Sequence, residues 1–325
     1  MKVVKTPLRV SLFGGGTDFP EYFSNNKTTI IGSTIDKYIY VTFNKNTKLS
    51  KTKYQIFYKN NEFVNNVSDI KHKVIKQALK KYYKYDDNIE MHIAADLPGF
   101  SGLGSSSTFS TSIINLLSNI CGTRMSKKKL ANEVINFERV LLQDCVGYQD
   151  QIHSVYGGFN FIELYKKEFK IIKYNNKKFI NKLNKNLFLV FTGRTRSAAK
   201  IEKKKLKQIK LNKNYFDKIK EISYEAKKIF SEKYNINKIG TLLDYSWDCK
   251  KKLADNVTNN FFDGMYRYAK KYGSTGGKLL GAGAGGFFLF YVPKQNQKKF
   301  IKKINSKYQI IDFKFSEEGT KILNV

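Results

Sequence analysis

Ser105, Ser106, Ser107 and Thr108 follow a stretch with three glycines, Pro98-Gly99-Phe100-Ser101-Gly102-Leu103-Gly104. Glycines let a backbone approach a ligand closely and accept positive φ. Hydroxyls cap a helix or reach a phosphate or a metal. Set before a helix, such a loop offers free N–H groups and the positive helix end to an anion. The same composition also makes a capped turn that binds nothing. No Gly-Lys-Ser/Thr follows, so the loop is not of the Walker type. Carboxylates occur at three places of interest. Asp18 closes Gly14-Gly15-Gly16-Thr17-Asp18, where it is either a presented carboxylate or a helix cap. Glu138 stands one residue off the apolar face of a helical stretch, where composition favours a solvated residue over an inward ligand. Asp150, in Gly147-Tyr148-Gln149-Asp150-Gln151, is a reacting group or a turn residue. Arg194 and Arg196 come just past a strand end, and a guanidinium fork there suits either phosphate or solvent. The glycines between Gly273 and Gly286 imply close backbone packing or close ligand approach.

Elements must position these groups. Period-2 patterns and β-branched or aromatic content predict strands over 3–13, 28–44, 53–58 and 90–95. Helical spacing predicts a helix over 70–85 and another from Phe109 onward, so the serine-rich loop joins a strand to a helix. A further helix is expected over 127–146, with Ser126 as N-cap and Leu130, Val134, Phe137, Leu141 and Cys145 on its apolar face. The Lys- and Asn-rich stretch 166–186 divides the chain into domains 1–180 and 181–325. Beyond it come a strand over 187–192, helices over 214–234 and 239–256, and a strand over 287–292. A helix then a strand follow over 297–315. No internal repeat is visible.

With 325 residues, 41% of them hydrophobic and 14% aromatic, the chain can bury a large core. Its net charge of +32 points to nucleic acid, to an anionic membrane, or to a solvated lysine-rich surface. The runs Lys127-Lys128-Lys129, Lys203-Lys204-Lys205 and Lys250-Lys251-Lys252 are short and far apart, which favours the solvated surface. No zinc-finger or RNP-type pattern is present, so neither nucleic acid nor membrane is expected as a partner. A positive field still draws in phosphorylated substrates and nucleotides. Three cysteines without a CxxC pair argue against a disulfide framework and fit a reducing, cytoplasmic location. There is no signal-peptide core, no bilayer-length apolar run, no His/Cys metal cluster and no GxSxG elbow.

Three separated motifs now line up in order: Thr6-Pro7-Leu8-Arg9-Val10-Ser11-Leu12-Phe13-Gly14, Pro98 to Ser107, and Lys278-Leu279-Leu280-Gly281-Ala282-Gly283-Ala284-Gly285-Gly286. Together they span almost the whole chain, which resembles the GHMP kinases, the family of galactokinase, homoserine kinase and mevalonate kinase. The Gly-Gly-Gly-Thr-Asp form of the first motif is similar to the sugar 1-kinase branch, which phosphorylates heptose 7-phosphate or fucose. Segments 147–151 and 192–197 are most similar to the heptose type. The resemblance implies an α+β, two-domain GHMP kinase fold. Its N-terminal domain is like domain 2 of ribosomal protein S5, its C-terminal domain is ferredoxin-like, and the active site lies in the cleft between them.

It also implies transfer from ATP, with Mg²⁺, to the C1 hydroxyl of a sugar phosphate, for nucleotide-activated heptose and surface polysaccharide synthesis. Pro98, Gly99, Ser101, Gly102, Leu103, Gly104, Ser105, Ser106 and Ser107 match the residues that wrap the ATP phosphates. Ser105 and Glu138 match the Mg²⁺ ligands. Asp150 matches the aspartate beside the accepting hydroxyl, with Arg9 next to it. Gly15, Gly16, Thr17, Asp18 and Gly283 match the sugar site. At least one of Arg194 and Arg196 is expected to hold the substrate's own phosphate. Two departures stand out: Gly15-Gly16 replaces the Glu-His of galactokinases, and Ala284 stands where glycine is commoner. A monomer or homodimer is expected. The rival readings are a fucokinase-like or other sugar 1-kinase, and a basic nucleic-acid-binding protein.

Overall fold

The computed structural model describes residues 1–46, 50–195, 199–231 and 235–324. β1 (Lys2–Phe13) leads through the glycine loop and a short α1 (Pro20–Phe23) into the long β2 (Thr28–Asn46). β3 (Tyr54–Phe57), β4 (Glu62–Val64), α2 (Lys73–Tyr82) and β5 (Asn88–Ala95) follow. Then come α3 (Ser105–Ile120), α4 (Lys127–Asn136), a π-helical turn over Phe137–Leu141 and α5 (Gln149–Tyr156). A hairpin of β6 (Phe159–Tyr165) and β7 (Glu168–Lys173) precedes α6 (Lys177–Asn186) and β8 (Leu187–Phe191). The helices α7 (Ala199–Gln208), α8 (Lys213–Ser231), α9 (Lys238–Lys251) and α10 (Asn260–Lys271) run on to β9 (Gly276–Leu279) and β10 (Phe287–Tyr291). The chain closes with α11 (Gln297–Asn305), β11 (Gln309–Ile311), β12 (Phe315–Ser316) and β13 (Lys321–Asn324).

The strands form two sheets. In the larger, β13-β1-β2-β5-β3-β4 are neighbours in that order, β6 and β12 join along β2, and β7 pairs with β6. The length of β2 explains this branching: its residues 28–33 pair with β6, and its residues 39–46 pair with β5. The smaller sheet is antiparallel, β11-β8-β10-β9. α3 buries Phe109, Ile113, Ile114, Leu116 and Leu117 in the core of the larger sheet. Two of its buried hydroxyls bridge to neighbouring elements. Ser112 donates to Thr6 on β1 (2.8 Å), and Thr108 meets Ser154 on α5 (3.0 Å). The smaller sheet packs Phe288 and Phe290 against Trp247, Phe262, Met265 and Phe300. No helix among the described residues is long and apolar enough to cross a membrane.

Three differences from the sequence expectation have physical causes. The 127–146 helix stops at Asn136 and widens into the π turn, a geometry frequent at functional sites that an apolar stripe does not announce. The polar stretch 166–186 holds β7 and α6, whose tertiary pairing overrides its composition. The chain end also returns to the larger sheet, where β13 pairs with β1 and β12 with β2, and position 180 falls inside α6. The expected second segment, 181–325, therefore supplies strands to both sheets.

Two glycine loops join the sheets backbone to backbone. Gly281 has φ +66°, and a Cβ there would lie 2.5 Å from Gly102 Cα. Gly102 has φ +80°, and a Cβ there would lie 2.5 Å from the Leu280 carbonyl oxygen. Gly281→Ala is expected to destabilise by at least about 1 kcal/mol, because both the left-handed backbone and the contact resist a methyl group. The check is a lower urea midpoint; an unchanged midpoint would mean that the loops do not interlock.

Candidate active site

The glycine–serine loop ends at Gly104, which takes φ +77° as N-cap of α3 with no side-chain cap. The first-turn N–H groups of α3 thus face the adjoining cavity without a capping oxygen, at the positive end of a sixteen-residue helix. Arg9 fixes the loop. Its backbone N–H donates to the Leu103 carbonyl (3.0 Å) and its Nη1 to the Gly102 carbonyl (2.7 Å). Arg9 lies where the β1–β2 register shifts, and such bulges re-aim side chains. The rest of its guanidinium grips Asp150 bidentately, Nε to Oδ1 and Nη2 to Oδ2, both at 2.8 Å. Arg9 is 3% exposed and Asp150 25%. Asp150 is therefore a fixed carboxylate in the first turn of α5, open to the cavity on its remaining lone pairs.

Asp18 is buried and is not the N-cap of the helix that follows it, α1. It accepts N–H groups from Gly16 (3.0 Å) and Gln149 (3.3 Å). Gly147 permits this approach, since a Cβ there would lie 2.0 Å from Asp18 Oδ2. Burial, then the charge of Asp150, pushes the Asp18 carboxyl up to about 6, against the two N–H donors. Glu138 is also buried, contrary to the solvated reading, because the π turn rotates it inward. Ser107 Oγ (2.8 Å) and Gln151 Nε2 both donate to its Oε2. Burial pushes Glu138 up to about 7, while its hydrogen bonds pull the other way. Glu138 does not itself line the cavity and touches it through Ser107, a carboxylate–hydroxyl pair whose oxygens are of the kind a divalent ion takes. No group of three or more His, Cys, Asp or Glu among those residues could enclose a metal by itself.

Arg9, Gly15, Gly16, Asp18, Gly102, Gly104, Ser105, Ser106, Ser107, Asp150 and Gly283 line one cavity of about 290 Å³. Other sequence candidates fall elsewhere. Thr17 is fully buried, its hydroxyl bonded to the Gly14 carbonyl (2.7 Å) and to Thr28 (2.6 Å), so it braces the loop. Leu103 and Ser101 are buried, and Pro98 and Gly99 lie exposed beside the cavity. Ser105 Oγ accepts the Phe100 N–H (3.2 Å), so Ser107 is the hydroxyl in contact with Glu138. Arg194 lines a neighbouring pocket with Thr195, Asn256, Thr258 and Asn259, its guanidinium 4.2 Å from the centre of the Phe261 ring. Arg196 lies outside the described residues.

The sequence reading missed five charged residues that line the cavity: Asp144, Glu202, Lys205, Lys250 and Lys278. Lys205 and Lys250 belong to lysine runs taken for solvated surface. A signal existed, since Lys205 falls on the helical face of Ile201 and Ile209, and Lys250 on that of Leu243 and Trp247.

The family model described as "GHMP kinases N terminal domain" matches residues 70–158. A D-glycero-alpha-D-manno-heptose 7-phosphate kinase of Campylobacter jejuni is 31% identical over 337 residues, covering 99% of each chain. A solved D-glycero-D-manno-heptose 1-phosphate kinase from Bacteroides thetaiotaomicron has a TM-score of 0.80 at 22% identity, covering 100% of this chain and 99% of that one. A solved putative sugar kinase from Campylobacter jejuni has a TM-score of 0.71 at 27% identity, covering 100% and 98%. The two-sheet α+β architecture is thus the expected one.

Proposed function

The chain belongs to the GHMP kinases and is a sugar kinase of that family, and we propose that it carries the γ-phosphoryl group of ATP to the C1 hydroxyl of D-glycero-D-manno-heptose 7-phosphate. The product would be the 1,7-bisphosphate, a precursor for nucleotide activation of the sugar. One observation supports this most: Asp150, Asp18 and the uncapped end of α3 line the same cavity. Phosphoryl transfer asks for positioning and charge neutralisation more than covalent chemistry. The N–H groups of α3 and the glycine loop would hold the ATP phosphates. Glu138, with Ser105 or Ser107, would hold Mg²⁺, which when bound offsets charge on the β- and γ-phosphates. Asp150, oriented by Arg9, would accept the proton of the C1 hydroxyl as its oxygen bonds to the γ-phosphorus and ADP leaves. Asp18 would accept hydrogen bonds from other sugar hydroxyls, with Gly15, Gly16 and Gly283 giving close backbone approach.

The test is ADP release with Mg·ATP over heptose 7-phosphate, unphosphorylated heptose, fucose and galactose. Heptose 7-phosphate should have the highest kcat/KM; a preference for fucose or galactose would replace the substrate named here. The Asp18 environment adds a pH prediction. Its carboxyl is raised, so it protonates and loses acceptor capacity as pH falls through about 6. An acid limb in kcat/KM near that pH is expected, absent from the residual activity of Asp18→Asn. A flat wild-type profile between pH 5 and 7 would remove Asp18 from sugar binding.

A further inference from the structure

Lys205, Lys250 and Lys278 are 2%, 6% and 4% exposed, yet all three line the cavity that holds Asp150. Ammonium groups are rarely buried unless something answers their charge. Lys205 Nζ meets Glu202 Oε1 at 3.2 Å. Lys278 Nζ donates to the Leu12 carbonyl at 3.1 Å. Lys250 Nζ donates to the carbonyls of Leu279 (2.6 Å) and Gly281 (2.5 Å), with the Trp247 ring 5.9 Å away. Among the described residues it has no carboxylate partner. Burial, then Lys205 and Lys278, push the Lys250 ammonium well below its ordinary range, and an anion bound among these lysines would favour its charged, three-donor form.

Donor geometry points the same way. An ammonium carries three N–H groups. The bonds above leave one on Lys250 and two each on Lys205 and Lys278 for a ligand in the cavity. A phosphate monoester presents three terminal oxygens to such donors. The lysines come from α7, α9 and β9, whereas Arg9 lies on β1 of the larger sheet, Asp18 in the loop that follows it, and Asp150 and the α3 end on helices packed against β1. A ligand gripped by the lysines therefore shares the cavity with the reacting carboxylate. Arg194 lines the neighbouring pocket instead.

We infer that Lys205, Lys250 and Lys278 seat the substrate's own phosphate, separate from the phosphates of ATP. This rests on the sugar-phosphate kinase reading above. Binding energy spent on that remote group would hold the C1 hydroxyl near Asp150.

Wild type, Lys250→Met, Lys205→Met and Arg194→Ala are compared in two measurements. In the first, melting temperature is followed against orthophosphate in saturating Mg·ADP, which occupies the nucleotide side. Wild type should be stabilised by phosphate, and both Met variants should lose most of that shift. Without phosphate Lys250→Met should melt no lower than wild type, since Lys250 has no carboxylate partner among the described residues, whereas Lys205→Met leaves Glu202 unpaired and should melt lower. In the second, the ratio of kcat/KM for heptose 7-phosphate over unphosphorylated heptose should fall about ten- to a hundredfold in both Met variants, the scale of one charged hydrogen bond. Arg194→Ala should keep the wild-type ratio. The inference is overturned if the Met variants keep the phosphate shift, if wild type shows none, if both sugars lose activity equally, or if Arg194→Ala alone changes the ratio. If wild type turns over neither heptose while phosphate still stabilises it through Lys250, the substrate reading fails and the anion seat stands.

Discussion

Asp150→Asn is expected to lower kcat by about 10²-fold or more while leaving Mg·ATP binding near its wild-type value, the usual scale for lost acid–base assistance. The substitution keeps the shape of the side chain and removes its charge. Arg9, 3% exposed, then loses the one ion-pair partner it has among the described residues, so stability should fall as well. Breaking a buried pair costs on the order of 3 kcal/mol, and less here because Asp150 is a quarter exposed. A double variant, Arg9→Met with Asp150→Asn, separates the two effects. It should recover melting temperature without recovering turnover. Near wild-type turnover in a well-folded Asp150→Asn protein would reduce Asp150 to an anchor for Arg9.

The second large effect is expected at Glu138. Replacing it with Gln should raise the Mg²⁺ concentration needed for half-maximal rate about 10- to 100-fold, since even indirect partners of a metal carry that much affinity. An unchanged Mg²⁺ titration would take Glu138 out of the metal site. Stability offers a second readout with a definite sign. The folded carboxyl is raised to about 7 from an ordinary 4.5, so its favourable term is full below pH 4.5 and is lost as pH rises through about 7. Without metal, wild type should therefore lose melting temperature relative to Glu138→Gln between pH 5 and pH 8. A difference that stays constant over that range would mean that the carboxyl is ionised throughout. A buried carboxylate that weakens the free protein is the expected cost of a site kept ready for a cation.

Much of the fold was legible because the residues concerned are locally determined. The alternation of β1 and β2 and the glycine–serine junction before α3 all follow short-range rules. Ser126 does cap α4, accepting the Lys129 N–H. α10 went unseen because Gly264 and its aromatic residues blur the helical pattern, although Asn259 caps it. The return of β13 to β1 is a non-local pairing of a short segment, which periodicity does not encode. The site divides along the same line. Asp18, Asp150 and the glycines were visible as residue types in flexible loops. The inward turn of Glu138 depends on the π geometry, and the spending of Thr17 on its own loop depends on Thr28. Lys205 and Lys250 were hidden by their neighbours: Lys203, Lys204 and Lys252 are exposed, so the runs read as surface.

The central claim is that phosphate arrives at C1 of a sugar already phosphorylated at its far end. It is tested most directly by incubating the protein with Mg·ATP and D-glycero-D-manno-heptose 7-phosphate and recording the NMR spectra of the product. The account predicts two phosphorus resonances from the sugar, one coupled to the anomeric proton and one to the C7 protons, with one ADP formed per sugar consumed. A product phosphorylated at any other hydroxyl, or ADP formed without a new sugar phosphate, would contradict it.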